Sequence, residues 1–222
     1  SMPFFIALGY IVTGGSIARR LLDLANAIAG RIPGGLGIVA CVTSAVFGAI
    51  SGAAASSVIA IGTIMIPEME RHGYPRGYSA AIISASAVLS TLIPPSITMI
   101  MYAFVTSQSV AACFLSTLVP GLLLTFLLSV VNVYLVKTQM PSVQVLPQIS
   151  MGEKFALIRE KTRPAIGGII LPVIILGGIY GGIMTPTEAA CVAVVYSLFL
   201  SLFVYREISF NKAMLFLRSS VT

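Results

Sequence analysis

From Gly77 to Val136 the chain carries no charged residue, and Pro94-Pro95 stands near the middle of that run. So long an uncharged, apolar stretch belongs in a bilayer, where backbone N–H and C=O groups must be satisfied within the protein. Two adjacent prolines remove two N–H donors together and exclude an unbroken helix through LSTLIPPSITM, residues 89–99. Two half-helices are therefore expected, one running from Ser79 to the prolines and one resuming through Tyr102.

The remaining sequence points to the same class. Charged residues make up 9% of the chain, against about 25% in soluble domains. Leu118–Val136, Ala165–Ile183 and Glu188–Tyr205 each approach the roughly 20 apolar residues that cross a bilayer as a helix. The fold class is an all-α polytopic membrane protein; the alternation of an outer-membrane barrel is absent. Cys41, Cys113 and Cys191 lie singly in apolar stretches, as small buried side chains rather than as a disulfide or metal set.

The chain divides into seven segments. Residues 1–33 hold the end of a spanning helix and an interfacial amphipathic helix with Ile17, Leu21, Leu24 and Ile28 at helical spacing. Residues 34–67 are uncharged but too short for two spans and a turn, which needs more than about 40 residues. The cluster SGAAASS, residues 51–57, divides them into a longer and a shorter arm, so a re-entrant helical hairpin is expected, with its tip within the membrane. Residues 68–117 form a connector and the broken helix, and 118–136 a span. Residues 137–164 are a charged loop with a short amphipathic helix, 165–205 two spans, and 206–222 a basic amphipathic tail. The ends, SMPFF and RSSVT, read as cut, and a piece of a longer protein is expected.

This topology places segments 16–33, 68–78, 137–164 and 206–222 on one side, and all 13 Lys and Arg fall there. Segments 106–117 and 184–187 on the other side have none. Under the positive-inside rule the basic loops and the hairpin opening are cytoplasmic. The net charge of +6 is thereby explained by topology and calls for no nucleic-acid partner.

Pro94 deprives the Ser90 carbonyl of its helical donor, Pro95 does the same to Thr91, and Ile93 is pushed out of the helical region by the proline that follows it. A single membrane proline is ordinarily a kink closed by Ser, Thr or water. Two beside a serine-rich hairpin tip point to a bound cation, since half-helix C-terminal carbonyls are suited to Na⁺. Conversely, the second half-helix starting near Pro95-Ser96, and the helix start at the tip with Ser56 or Ser57 as cap, offer free N–H groups to an anion. Ser56, Ser57, Ser96 and Thr98 are accordingly the candidate substrate residues. Gly48 and Gly52 read as a small-xxx-small packing pair. In TPTEAA, residues 185–190, Thr185 and Glu188 have capping-box spacing with Pro186 at the first helical position. His72, the only histidine, lies in a polar connector. No HExxH, GxxxxGK[ST] or GxGxxG motif and no nucleophile–base pair is present, which argues against a membrane enzyme or an ATP-driven pump.

The stretches IPGGLGIVACVTSAVFGAISGAAASSVIAIGTIMIPEM, STLIPPSITMIMYAFVTSQS, FLSTLVPGLLL and GGIYGGIMTPTEAACVAVVYSLFLSLFVYRE closely resemble the large membrane subunit of tripartite ATP-independent periplasmic (TRAP) transporters. The resemblance runs in order over essentially the whole chain, in a family whose large subunit is about twice as long. It implies a secondary transporter of the bacterial inner membrane with an elevator fold of the ion-transporter superfamily, of which this would be the first half of an inverted repeat. It further implies import of organic acids such as C4-dicarboxylates or sialic acid, with Na⁺ as coupling ion. The implied partners are a periplasmic solute-binding protein and a small four-helix membrane subunit. Carried over residue by residue, it places Na⁺ at Ser51, Ser90, Ile93 and Pro95. The family usually has Gly-Pro where this chain has Ser90-Thr91. One alternative keeps the hairpin and the break, a divalent-anion/sodium symporter working without a binding protein; another, from a different class, is a channel or structural subunit without saturable, Na⁺-dependent uptake.

Overall fold

A computed structural model describes residues 2–141, 143 and 150–205, and every regular element among them is helical. The order is α1 (Met2–Gly14), α2 (Ile17–Ala29), α3 (Gly35–Ser51), α4 (Ala54–Arg71), α5 (Arg76–Ala87), α6 (Leu89–Leu92), α7 (Ile97–Val105), α8 (Val110–Gln139), α9 (Met151–Tyr180) and α10 (Pro186–Phe199). A π-helical turn, Leu200–Val204, prolongs α10. Three helices are long and apolar enough to cross a membrane: α8, α9, and α10 with its π turn. The count rises to five if each of two bent pairs is one span. These pairs are α1 with α2, bent by 65°, and α5–α6 with α7, bent by 41°.

The hub is α3. It packs against α1, α2, α4, α5, α6, α8 and α9, and 14 of its 17 residues are buried. Its glycines, alanines and serines let neighbouring backbones approach on every side. Around it Phe5, Leu8, Ile11, Phe47, Ile50, Ile61, Met69 and Leu171 form the core. By contrast α8 turns Leu115, Val119, Leu122, Phe126 and Val130 outward, the apolar surface that a bilayer-facing helix carries.

Several boundaries differ from the sequence reading, mostly because single prolines do not end helices here. Helix α4 continues through Pro67 to Arg71, so the second hairpin arm has 18 residues and the tip shrinks to Gly52-Ala53. Helix α8 begins at Val110 and passes Pro120, leaving only residues 106–109 as the connection. The amphipathic segment expected in the loop fuses with the next span into α9, 30 residues long and crossing Pro164 and Pro172. One proline removes one hydrogen bond, which local adjustment in a long membrane helix re-satisfies. The helix before the break starts at Arg76 and is interrupted once more, at Val88. The tail 206–222 lies outside the described residues.

The apolar stripe of α2 is only partly buried in the protein. Ile17, Ala18, Leu21 and Leu22 are buried, whereas Leu24 is half-buried and Ile28 is 50% exposed. Ile17 and Leu21 press against Gly168 of α9. Leu24 and Ile28 line an apolar groove with Val42, Val46 and Ile169.

Asn132 of α8 is fully buried and ties three segments together. Its Nδ2 donates to the Gly34 carbonyl (2.7 Å), and its Oδ1 accepts from the Tyr78 hydroxyl (2.8 Å). In the complete protein, Asn132→Leu should lower stability by about 1–2 kcal/mol, the worth of two such bonds between membrane helices. Tyr78→Phe should cost less, and the double variant should lose no more than Asn132→Leu alone, as thermal unfolding in detergent would show.

Candidate functional site

Helix α3 ends at Ser51 because Gly52 adopts φ 62° and ψ 11°, the left-handed conformation that only glycine enters readily, and donates to the Gly48 carbonyl (2.8 Å). Ala53 is extended and α4 begins at Ala54 with no side-chain cap. Ser56 and Ser57 are therefore not caps, as the sequence suggested, but lie within the first turn of α4. Across from this tip, Ile93 is extended and closes α6, and Ser96 is extended before α7. The tip and the break touch. The Ile97 N–H donates to the Gly52 carbonyl (3.3 Å), and a Cβ on Gly52 would stand 2.7 Å from the Pro95 carbonyl oxygen. A Cβ on Gly48 would stand 2.3 Å from the Ser90 Cα. The two glycines read as one packing pair thus act separately, one admitting the break and the other turning the tip.

Two helix ends and two helix starts converge at this point. On the C-terminal side, no backbone N–H among the described residues reaches the carbonyls of Ser90, Thr91, Leu92 or Ile93. The Ser51 hydroxyl is buried and has no hydrogen-bond partner. Serines in helices commonly return this proton to the carbonyl one turn earlier. An unpaired buried hydroxyl costs about 1–3 kcal/mol. The hydroxyls of Thr43, Ser44 and Ser201 and the amide oxygen of Asn26 are likewise unpartnered, and of these residues Ser44 reaches the break, its carbonyl accepting from the Ser90 hydroxyl (3.0 Å). Ser51, Ser90, Ile93 and Pro95, the residues assigned to Na⁺, are all buried at this junction. Their oxygens are hard ligands suited to a small cation.

On the N-terminal side, α4 and α7 start without side-chain caps, so apart from the Ile97 N–H, which the Gly52 carbonyl accepts, first-turn N–H groups and the positive ends of two helix dipoles are available. The four substrate candidates separate into two pairs. Ser96 and Thr98 bond to each other (2.7 Å) at the start of α7, with Ser96 buried and Thr98 exposed. Ser57 is buried and bonds to the Ser90 hydroxyl, while Ser56 is half-buried and faces Gly9 of α1. Ser44 was not singled out in the sequence, although its spacing of seven residues from Ser51 puts both on one side of α3.

At the start of α10, the Thr185 N–H donates to Glu188 Oε2 (2.7 Å) and the Glu188 N–H to Thr185 Oγ1 (3.3 Å), a reciprocal cap. His72 bonds through Nδ1 to the Glu68 carbonyl (2.8 Å). No group of His, Cys, Asp or Glu among the described residues has a metal-holding arrangement.

These features define an all-helical, multi-pass membrane protein whose centre is a buried helical hairpin meeting a broken helix. The family described as "Tripartite ATP-independent periplasmic transporter, DctM component" matches residues 1–222, and the chain belongs to it: a transporter permease component, not an enzyme. It is 45% identical over 212 residues to the C4-dicarboxylate TRAP transporter large permease protein DctM of Pseudomonas aeruginosa, covering 96% of this chain and 48% of that protein. It is 38% identical over 209 residues to the isethionate TRAP transporter permease protein DctMQ of Oleidesulfovibrio alaskensis, covering 94% and 32%. With the ectoine TRAP transporter large permease protein TeaC of Halomonas elongata it shares 36% identity over 212 residues, covering 95% and 48%. The chain spans about half the length, or less, of these relatives.

The glycine contacts can be tested directly. Gly48→Ala and Gly52→Ala in the complete protein should each destabilise it, the first by a backbone clash and the second by about 1–2 kcal/mol of left-handed strain plus contact with Pro95. Thermal unfolding of the purified variants checks this, with Gly62→Ala as control because its added Cβ meets nothing closer than 3.8 Å.

Proposed function

We propose that the complete protein is the membrane permease of a sodium-coupled importer of organic acids, with the junction of hairpin tip and helix break as half of its transport site. The observation that carries this reading is the run of undonated carbonyls at Ser90 and Ile93 in a break that touches the hairpin tip, where the Ser51 hydroxyl is buried without a partner and its Cβ lies toward Gly9 of α1. Na⁺ is a transported ion here, held by Ser51, Ser90, Ile93 and Pro95. Its charge compensates oxygens that a bilayer interior cannot hydrate.

The starts of α4 and α7 supply the complementary pole, and the substrate's acid group is placed there, near Ser56, Ser96 and Thr98. The relatives' named substrates, C4-dicarboxylate, isethionate and ectoine, differ in shape but each bears a carboxylate or sulfonate. The shared acid group fits the helix starts. Discrimination among the molecules then falls largely to residues outside this chain.

The family's name supports delivery by a periplasmic solute-binding protein, and a small four-helix membrane subunit is proposed as the second membrane partner. The distribution of basic residues supports a hairpin opening on the cytoplasmic face of the inner membrane. The hairpin is read as re-entrant, because its tip meets the break of a helix that crosses. Movement of hairpin and broken helix together, in the elevator manner, would expose the junction to either side.

Reconstituted with its small subunit and loaded binding protein, the complete protein should take up organic acid only with an inward Na⁺ gradient. Ser51→Ala should raise the Na⁺ concentration for half-maximal uptake at least tenfold, and Pro94→Ala with Pro95→Ala should abolish sodium dependence while the protein still inserts. Uptake unchanged when K⁺ replaces Na⁺ would refute the coupling. Uptake of free acid without a binding protein would favour the divalent-anion symporter alternative.

A further inference from the structure

Ser57 does not face the helix starts where the acid group is placed. It is 1% exposed, and its hydroxyl meets that of Ser90, which is completely buried. The protons can be assigned. The Ser90 hydroxyl donates to the Ser44 carbonyl at 3.0 Å, and a hydroxyl has one proton. Ser57 must then be the donor to Ser90, giving a chain that runs from Ser57 through Ser90 to the carbonyl of Ser44.

Each member sits on a different segment: Ser44 on the first arm, Ser57 on the second, and Ser90 on the short helix before the prolines. The chain therefore fastens both arms of the hairpin to the residue whose own carbonyl has lost its helical donor. Its closeness depends on Gly48, which leaves room for the Ser90 Cα. Ser57 thereby diverts its proton from its own helix to the break, the less usual choice for a helical serine.

We propose that Ser57 is a positioning residue of the cation site: by donating to Ser90 it fixes the direction of the Ser90 carbonyl, and so sets sodium affinity rather than contacting the organic acid. This rests on the sodium reading above. A hydroxyl held at both ends loses little freedom when its carbonyl takes up an ion, so the site is preformed. Without Ser57 the Ser90 side chain keeps one bond, to Ser44, and can rotate about it.

The test uses the complete purified protein without organic acid, and reads its thermal stabilisation as Na⁺ is titrated at constant ionic strength with choline. Ser57→Ala should raise the Na⁺ concentration for half-maximal stabilisation about 3- to 10-fold, as loss of one neutral buried hydrogen bond gives. In proteoliposomes at saturating Na⁺, the KM for the organic acid should stay within about twofold of wild type. Ser57→Cys, nearly isosteric with a weaker donor, should fall between the two and serves if Ser57→Ala does not fold. An unchanged sodium midpoint with a lower melting temperature would overturn the proposal and leave Ser57 a packing residue. A raised KM with an unchanged midpoint would overturn it too and return Ser57 to the substrate. If wild-type protein shows no Na⁺-specific stabilisation, the sodium reading itself fails, and the positioning role with it. If wild type responds and Ser57→Ala responds identically, only the positioning role is lost.

Discussion

A backbone carbonyl inside a bilayer has no water to turn to, and the organisation of this chain follows from where that rule is broken. Four single prolines, Pro67, Pro120, Pro164 and Pro172, lie within helices that continue past them. The adjacent pair at 94–95 instead interrupts the helical run between α6 and α7. Two consecutive lost donors leave two neighbouring carbonyls open, where a single proline leaves one. The chain meets this by bringing a second irregular point, the hairpin tip, against the first. Ser51, Gly52 and residues 93–96 are thereby buried, the circumstance in which irregular backbone is tolerated within a membrane.

The enclosing contact is made by small residues. Gly48 lets Ser90 approach, Gly52 turns the tip against Pro95, and the rest of α3 is buried on nearly all sides. The same closeness brings the undonated carbonyls of the break near the uncapped starts of α4 and α7. Opposite partial charges are thus fixed a few residues apart without one ionised side chain at the junction. Such an arrangement suits a site that must release what it binds, since helix-end fields attract ions more weakly than a buried carboxylate does.

Much of this was legible in the sequence because it depends on backbone chemistry. The proline pair announced the break, the uncharged 34–67 segment the hairpin, and TPTE the cap of α10. What the sequence did not show depends on rotation about helix axes and on contacts far apart in the chain. The stripe Ile17, Leu21, Leu24 and Ile28 read as one apolar face of an interfacial helix, but only the contact with Gly168 shows that Ile17 and Leu21 are its protein-buried part while Ile28 stays exposed. Ser57 shared its position at the tip with Ser56, and only the depth of Ser90 decided that one faces the break and the other α1. Asn132 looked like any polar residue in a span until Gly34 and Tyr78, far away in sequence, were placed beside it.

The central claim is that the open carbonyls at the break and the lone Ser51 hydroxyl are cation ligands. The most direct measurement is a pair of high-resolution cryo-EM maps of the complete protein with its small subunit, one in Na⁺ and one in choline. The account predicts density touching Ser51 Oγ and the carbonyls of Ser90 and Ile93 in Na⁺ only, with the tip and break otherwise unchanged. Equal density in both maps, or carbonyls accepting hydrogen bonds from residues beyond this chain, would contradict it.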